Sequence, residues 1–478
     1  MIIRKLLKPS CEDRAVPRNE TLVLRLGHPW TLQYLTLSIS GLAEGRLVTP
    51  PQSLGLLSAI CACKQLRSLM LMPEFASLEV LGLGKNLLQC FVASLPELRV
   101  LLLQEDTDVR GALNDVFSEN IIAEVAAKRE PGLQLLLTDV CNAATDFSLP
   151  VTLRYLFITN WCNQDHEQLY RTLKCLCNVE ELYLVGFHGR HIETGQSNAP
   201  LLQTYETLRI IIVDFYDAPC EVVCSAVLPS LELLALPGTI PRCATTTSGT
   251  RALPPVKPMC PTLKEVFFSC VSEKDIPILE HLLSTGAPKL ETVQVAVDFE
   301  FLRRRENQIN IFQHLWRALA RSSSLRNLKL IFRNYDERSF DERVQVAFLM
   351  MYGVSLPSLE TLGLYSFESF QGGGPRFELG SSVAYEQGVR GVCKEIGRLV
   401  SEGALPSLKL VNMFPGSDEA GGDGVGHGPQ LEEAPHVKTF FLPEPDGWQN
   451  GGLAWIRPSH LDAELQRRIM AALTDHST

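Results

Sequence analysis

Aliphatic side chains along this chain fall into a six-residue pattern, Leu-x-x-Leu-x-Leu, that recurs from one end to the other. It starts at Leu32, Leu66, Leu78, Leu98, Leu133, Leu153, Val179 and Leu208. It starts again at Leu231, Leu263, Leu290, Leu325, Leu359, Leu408 and Val437. These fifteen cores are spread over 405 residues, so a unit averages about 29 residues, with wide scatter. A period of two predicts a short strand in each unit. Between cores the apolar residues switch to helical spacing. Examples are Leu169, Leu173 and Leu176; Ile276, Leu279 and Leu283; Ile309, Phe312, Trp316 and Leu319; and Val344, Phe348 and Met351. One strand plus one helix cannot bury its own apolar face, whereas stacked units can.

Proline stands two residues before the leading aliphatic residue in eight of the fifteen cores: Pro96, Pro131, Pro229, Pro261, Pro288, Pro357, Pro406 and Pro435. It cannot continue a helix and pushes the residue before it toward extended backbone, so the chain is expected to turn from helix to strand there. The predicted architecture is an α/β solenoid, a horseshoe with a parallel sheet on the concave face and helices outside. Residues 1–31 are read as an N-terminal cap or first strand, 32–445 as about fifteen units, and 446–478 as a capping segment. In that last segment Leu461, Leu465, Ile469 and Leu473 follow Ser459 at helical steps. Three stretches poor in this pattern, 238–261, 370–382 and 415–436, are expected to be loop insertions, the last a flexible acidic and glycine-rich excursion.

The repeated cores resemble the leucine-rich-repeat superfamily, of the ribonuclease-inhibitor-like kind. Their proline-led, divergent units are most similar to the repeat regions of F-box proteins, the substrate receptors of cullin-type ubiquitin ligases. Asn86 fits the ninth position of that family's unit, while the equivalent places elsewhere hold Asp106, Trp161, Phe187, Tyr216 and Arg333. Residues 1–31 contain no recognisable F-box. The resemblance implies a non-enzymatic protein-interaction scaffold in the ubiquitin pathway, with a ligase adaptor as a partner. Two alternatives stay open: a ligand-sensing or signalling repeat protein without ligase association, and a GTPase-activator-like repeat protein.

Composition narrows the chemistry. The 54 acidic residues exceed the 44 basic ones, giving a net charge of −10, which argues against a nucleic-acid surface. No apolar run approaches the length of a membrane span, and the first ten residues lack a signal-peptide core, so a monomeric protein of the cytoplasm or nucleus is expected. The 14 cysteines are read as reduced, mostly buried thiols. Cys61/Cys63, Cys175/Cys177 and the scattered Cys220, Cys224, Cys243 and Cys260 lack zinc-site spacing, and His188 and His191 sit in an expected loop. The glycines of 421–428 match no nucleotide-binding fingerprint. No catalytic residue, cofactor or metal is expected.

Surface remains. In a strand alternate residues face opposite ways, so positions three, five and seven of each core should line the concave face. The central units place Tyr155, Phe157, Tyr183, Ile212 and Phe267 there, and Tyr365, Phe414 and Phe441 follow further on. These five central residues are the expected protein-binding patch, because a contiguous apolar surface marks a partner site. The same residues would instead be internal packing if loops of the chain cover them.

Overall fold

A computed structural model of the chain describes residues 32–37, 58–71, 87–103, 125–126, 130–139, 150–159, 178–185, 205–214, 227–236, 259–268, 276–298, 305–334, 344, 347–348, 351, 353–368, 382–414 and 426–441. Two compact units make up the chain, residues 1–194 and 195–478. In the first, six parallel strands pair in chain order: β1 (Tyr34–Leu37), β2 (Ser68–Leu71), β3 (Val100–Leu103), β4 (Leu135–Asp139), β5 (Tyr155–Thr159) and β6 (Glu181–Val185). Helix α1 (Leu87–Ser94) precedes β3.

The second unit continues the pattern with β7 (Ile210–Asp214), β8 (Leu233–Leu236), β9 (Glu265–Phe268), β10 (Thr292–Asp298), β11 (Asn327–Asn334), β12 (Thr361–Glu368) and β13 (Leu410–Phe414), again parallel neighbours in order. Beyond β13 lies β15 (Lys438–Phe441), and the two-residue β14 (Gly426–His427) pairs antiparallel with it. Among the described residues, three helices lie between these strands: α2 (Ile276–His281), which runs on as a π-helical turn through Gly286, α3 (Arg305–Leu319) and α4 (Ser382–Ser401). Parallel neighbours need a crossover between them, and the helices supply it here. The fold is an α/β leucine-rich-repeat solenoid.

Strands β1 to β13 each begin at position three of a core, with positions one, four and six buried in units such as Leu290, Val293 and Val295 or Leu359, Leu362 and Leu364. The turn into each strand is tight. The leading residue donates its N–H to the carbonyl three residues back: Leu98 to Leu95, Leu231 to Leu228, Leu263 to Cys260, Leu290 to Ala287, Leu359 to Leu356, Leu408 to Leu405 and Val437 to Ala434. In each of these the proline is the second residue of the turn, where its fixed φ is already correct. The acceptor residue is buried in every case, an aliphatic or thiol anchor three residues ahead of the core. Hydroxyls just before the leading residue tie a unit to its predecessor: Thr152 donates to Leu133 O, Thr262 to Leu231 O and Ser324 to Leu290 O.

Helical stripes complete the core. Ile276, Leu279 and Leu283 are buried, as are Phe312, Trp316 and Leu319. Trp316 stacks on Phe348 and donates Nε1–H to the Ala347 carbonyl at 2.6 Å. The sequence reading passed over α4, whose Val389, Val392, Ile396 and Leu399 are buried. It ends in a Schellman arrangement: Gly403, at φ +77°, donates to Val400 O, and Ala404 donates to Leu399 O.

Three expectations change. The core at Leu78 lies outside the described residues, and β2 pairs directly with β3, so it adds no strand between them. The core at Val437 is one residue out of step, because Leu410, a third position, pairs with Lys438, a second. Phe441 is therefore the register partner of Met413 rather than of Asn412, the fifth position of β13. Part of 415–436 is folded rather than a flexible excursion. It contains β14, the buried Leu431 and Ala434, and Pro429, whose carbonyl accepts the Thr439 hydroxyl at 2.6 Å. The expected helices at 169–176 and 461–473 lie outside the described residues.

Among the buried polar groups, Arg99 is 4% exposed, and its Nε and Nη1 have no hydrogen-bond partner. Only Nη2 is engaged, by the half-exposed Glu97 at 3.1 Å. Replacing Arg99 with Met removes a desolvated charge and leaves Glu97 in contact with water. The expected outcome in thermal or urea unfolding is unchanged or higher stability, by up to about 1 kcal/mol.

Candidate functional site

The strand face expected to carry recognition divides by position rather than by residue type. Fifth positions on β3 to β13 are buried, Lys329 apart. In the first unit Leu102, Leu137, Phe157 and Tyr183 are 0–2% exposed, and in the second Ile212, Ala235, Phe267 and Gln294 are equally covered. Third positions from β5 onward are half-buried: Tyr155 and Glu181 in the first unit, and Ile210, Leu233, Glu265, Thr292, Asn327, Thr361 and Leu410 in the second. Second positions are more open still, with Arg209, Lys264, Glu291, Arg326 and Lys409 exposed.

The five residues expected to form an exposed patch are therefore placed differently. Phe157, Tyr183, Ile212 and Phe267 are buried side chains, and only Tyr155 is partly accessible. Phe157 and Tyr183 are register partners on β5 and β6, with rings stacked at 4.1 Å and nearly parallel. The Tyr183 hydroxyl donates to Glu181 Oε2 at 2.7 Å, which gives the phenol a partner at the edge of the buried layer. In the second unit Ile212, Ala235 and Phe267 are successive partners across β7, β8 and β9. Alternation predicts which residues share a face, but not whether that face is open. A sheet covered on both sides carries apolar residues at odd and even positions alike.

From β10 onward the fifth-position row turns polar: Gln294, Lys329, Gly363 and Asn412 are successive register partners. Gln294 Nε2 donates to the Glu265 carboxylate. Gly363 is required by packing. A Cβ there would lie 2.6 Å from Tyr365 Cε2, 3.2 Å from the Tyr365 hydroxyl and 3.2 Å from Lys329 Cγ. The Tyr365 ring and the Lys329 stem thus converge over a bare backbone position. Burial pushes the Lys329 amine down to about 8, partly offset by the Glu265 charge, and pushes the Tyr365 phenol upward. Asn412 is 9% exposed, and its Oδ1 has no partner.

Second positions carry a pattern that the sequence reading missed. Along β7 to β13 they read Arg209, Glu232, Lys264, Glu291, Arg326, Glu360 and Lys409, strictly alternating in sign. Glu232 accepts from Arg209 Nε at 3.0 Å and Lys264 Nζ at 3.1 Å, and Glu360 accepts from Arg326 Nη1 at 3.1 Å and Lys409 Nζ at 2.9 Å. In the first unit Arg154 pairs in the same way with Glu180, and with Glu130 as well. The hydrogen bond from Lys264 holds the Glu232 carboxyl below its usual range, and that from Lys409 does the same for Glu360.

Of the cysteines weighed as metal ligands, Cys63 and Cys260 are buried and Cys61 is half-buried; burial pushes the Cys260 thiol up to about 12. No group of three or more potential ligands comes together among the described residues. His188, His191 and the glycines of 421–425 lie outside them. No helix among the described residues is long and apolar enough to cross a membrane.

No protein-family model and no curated protein matches the chain. One solved structure that resembles it is a crystal structure of a TLR13–ssRNA13 complex, at 14% identity and a TM-score of 0.33. The match covers 80% of this chain and 43% of that one, so the chain spans less than half of its length. The fold assignment rests on the strand order and register described above.

Two outcomes follow. Replacing Phe157 or Tyr183 with Ala empties a stacked, fully buried position, so unfolding should show a loss of about 3–5 kcal/mol, far more than an exposed aromatic would give. Replacing Glu232 with Gln removes exposed pairs worth under about 1 kcal/mol, with the difference shrinking in high salt. Because the folded Glu232 carboxyl titrates below its unfolded value, its contribution is present above the ordinary carboxylate range. It is lost as pH falls through the depressed value. Melting temperatures of the wild type and the Gln variant should converge on acidification.

Proposed function

We propose that the chain is a protein-binding repeat scaffold whose contact surface is the strip formed by second and third positions on β7 to β13. The observation that carries this reading is the exposure gradient across the strand face. Fifth positions are sealed apart from the half-buried Lys329, third positions are half-open, and second positions are half-open to exposed with charges of alternating sign. A strip that mixes Ile210 and Leu233 with Thr292, Asn327 and Thr361, and is edged by fixed charges, offers both apolar contact and polar specificity. In this reading Ile212 and Phe267 act at one remove, as the rigid layer beneath the surface. The resemblance to F-box repeat regions makes the partner a degradation substrate, presented to a ubiquitin ligase through an adaptor.

Two measurements separate these levels. Thr292→Arg and Thr361→Arg place bulk on the strip without entering the core. A partner captured by the full-length chain should be lost from both variants while their melting temperatures stay within about 2 °C of wild type. Retained capture would move the contact surface elsewhere. Co-purification of the ligase adaptor with the full-length chain tests the ligase role, and its absence removes that role while leaving the scaffold.

A further inference from the structure

We propose that Glu291, at the middle of the second-position row, takes an arginine or lysine side chain of the partner. The segment that carries this cation is a polyproline-II stretch with an acidic residue three places to either side of it. The inference rests on the scaffold reading and names the chemistry of its partner.

The first observation is how the row pairs. Its seven charges alternate in sign, yet they do not join into one continuous chain. Arg209 and Lys264 both donate to Glu232, and Arg326 and Lys409 both donate to Glu360. Two closed triads result, one in the units of β7 to β9 and one in those of β11 to β13. Glu291 stands between them. Its backbone is bonded to Lys264 on one side and to Arg326 on the other. Both of those cations pair instead with the carboxylate one strand further away. Among the described residues the Glu291 carboxylate has no hydrogen bond or ion pair, and Lys289, exposed two residues earlier, does not pair with it. Glu265, the third-position carboxylate of the neighbouring strand, already takes the Gln294 amide. Glu291 is itself exposed, so a cation reaches it without opening the core.

The second observation is where the surplus charge lies. Each triad holds two cations and one carboxylate, so a positive centre flanks Glu291 on either side. The row therefore presents positive, negative and positive blocks, and its complement is acidic, basic, acidic. Spacing then selects the backbone. Glu232, Glu291 and Glu360 lead into β8, β10 and β12, two strand spacings apart each time, or about 9.6 Å. A polyproline-II chain laid along the row turns the same face to it every third residue, over about 9.3 Å. A flat β-strand repeats its face about every 6.8 Å and falls out of step with the blocks.

The probe is a fluorescein-labelled, C-terminally amidated peptide, Gly-Glu-Pro-Pro-Arg-Pro-Pro-Glu-Gly, read by anisotropy on the full-length chain. Three peptides with the same label accompany it. One has all three signs reversed, one is shortened to Glu-Pro-Arg-Pro-Glu, and one is an alanine-rich helix carrying the original charges seven residues apart. The first peptide should bind, and each of the others at least about fivefold more weakly. Glu291→Gln should weaken the first peptide about fivefold and Glu291→Lys at least about tenfold, both effects shrinking in high salt. Glu291→Lys should bind Glu-Pro-Pro-Glu-Pro-Pro-Glu more tightly than the wild type does, a gain that a misfolded variant would not show. Equal binding of the sign-reversed peptide, no binding of the first, or an indifferent Glu291→Gln variant would overturn the site. Tighter binding of the helical peptide would overturn the polyproline-II occupant. If no peptide binds while Thr361→Arg still abolishes partner capture, this site falls and the scaffold surface stands. If the first peptide binds through Glu291 while the threonine variants leave capture untouched, the site stands and the captured partner is held elsewhere.

Discussion

The backbone carbonyl at the second position of each unit is the joint on which the repeat depends. It accepts two N–H groups from the next strand, at that strand's second and third positions: Gln33 O takes Arg67 and Ser68, Lys264 O takes Glu291 and Thr292, and Glu360 O takes Lys409 and Leu410. Once this joint is made, the third positions are opposite one another, and positions one, four and six fall into the core. The chain between joints is then free to vary. Leu133 and Leu153 lead units separated by a short segment, while Leu359 and Leu408 are separated by a long one that includes α4, and both present the same joint. The irregular spacing of the cores is thus compatible with a regular ladder.

Much of this was readable from the residues. Leu-x-x-Leu-x-Leu marks the strands because burial of three side chains on one face is a strong, local constraint. Proline marks the turns because its φ is set before folding begins. One core was misjudged for a physical reason. Val437 has the right hydrophobicity but the wrong register, since Lys438 rather than Thr439 meets Leu410. Neither pairing nor register is a property of six residues alone. Helix α4 escaped notice because its stripe, Val389, Val392, Ile396 and Leu399, is interrupted by Gly391 and Gly397.

The strand face was legible in direction but not in cover. Phe157, Tyr183, Ile212 and Phe267 are buried, and burial is not something that alternation within one core determines. The second-position charges are spread over seven separate cores of the sequence. Charge order across strands becomes meaningful only when the strands are known to be neighbours. The switch from Phe267 to Gln294 and Lys329 along the fifth-position row likewise emerges only once register connects β9, β10 and β11.

The alternating charges give the second unit a parity. Arg209, Glu232, Lys264, Glu291, Arg326, Glu360 and Lys409 repeat in sign every two strands, although the fold itself repeats every strand. Removing one whole unit from the middle of this series would bring two like charges onto adjacent strands, whereas removing two would restore attraction on both sides. A backbone indifferent to the number of repeats therefore carries a surface that tolerates growth or loss only in pairs. The ladder is a record of how the array can be lengthened, kept by side chains that contribute little to holding any single strand in place.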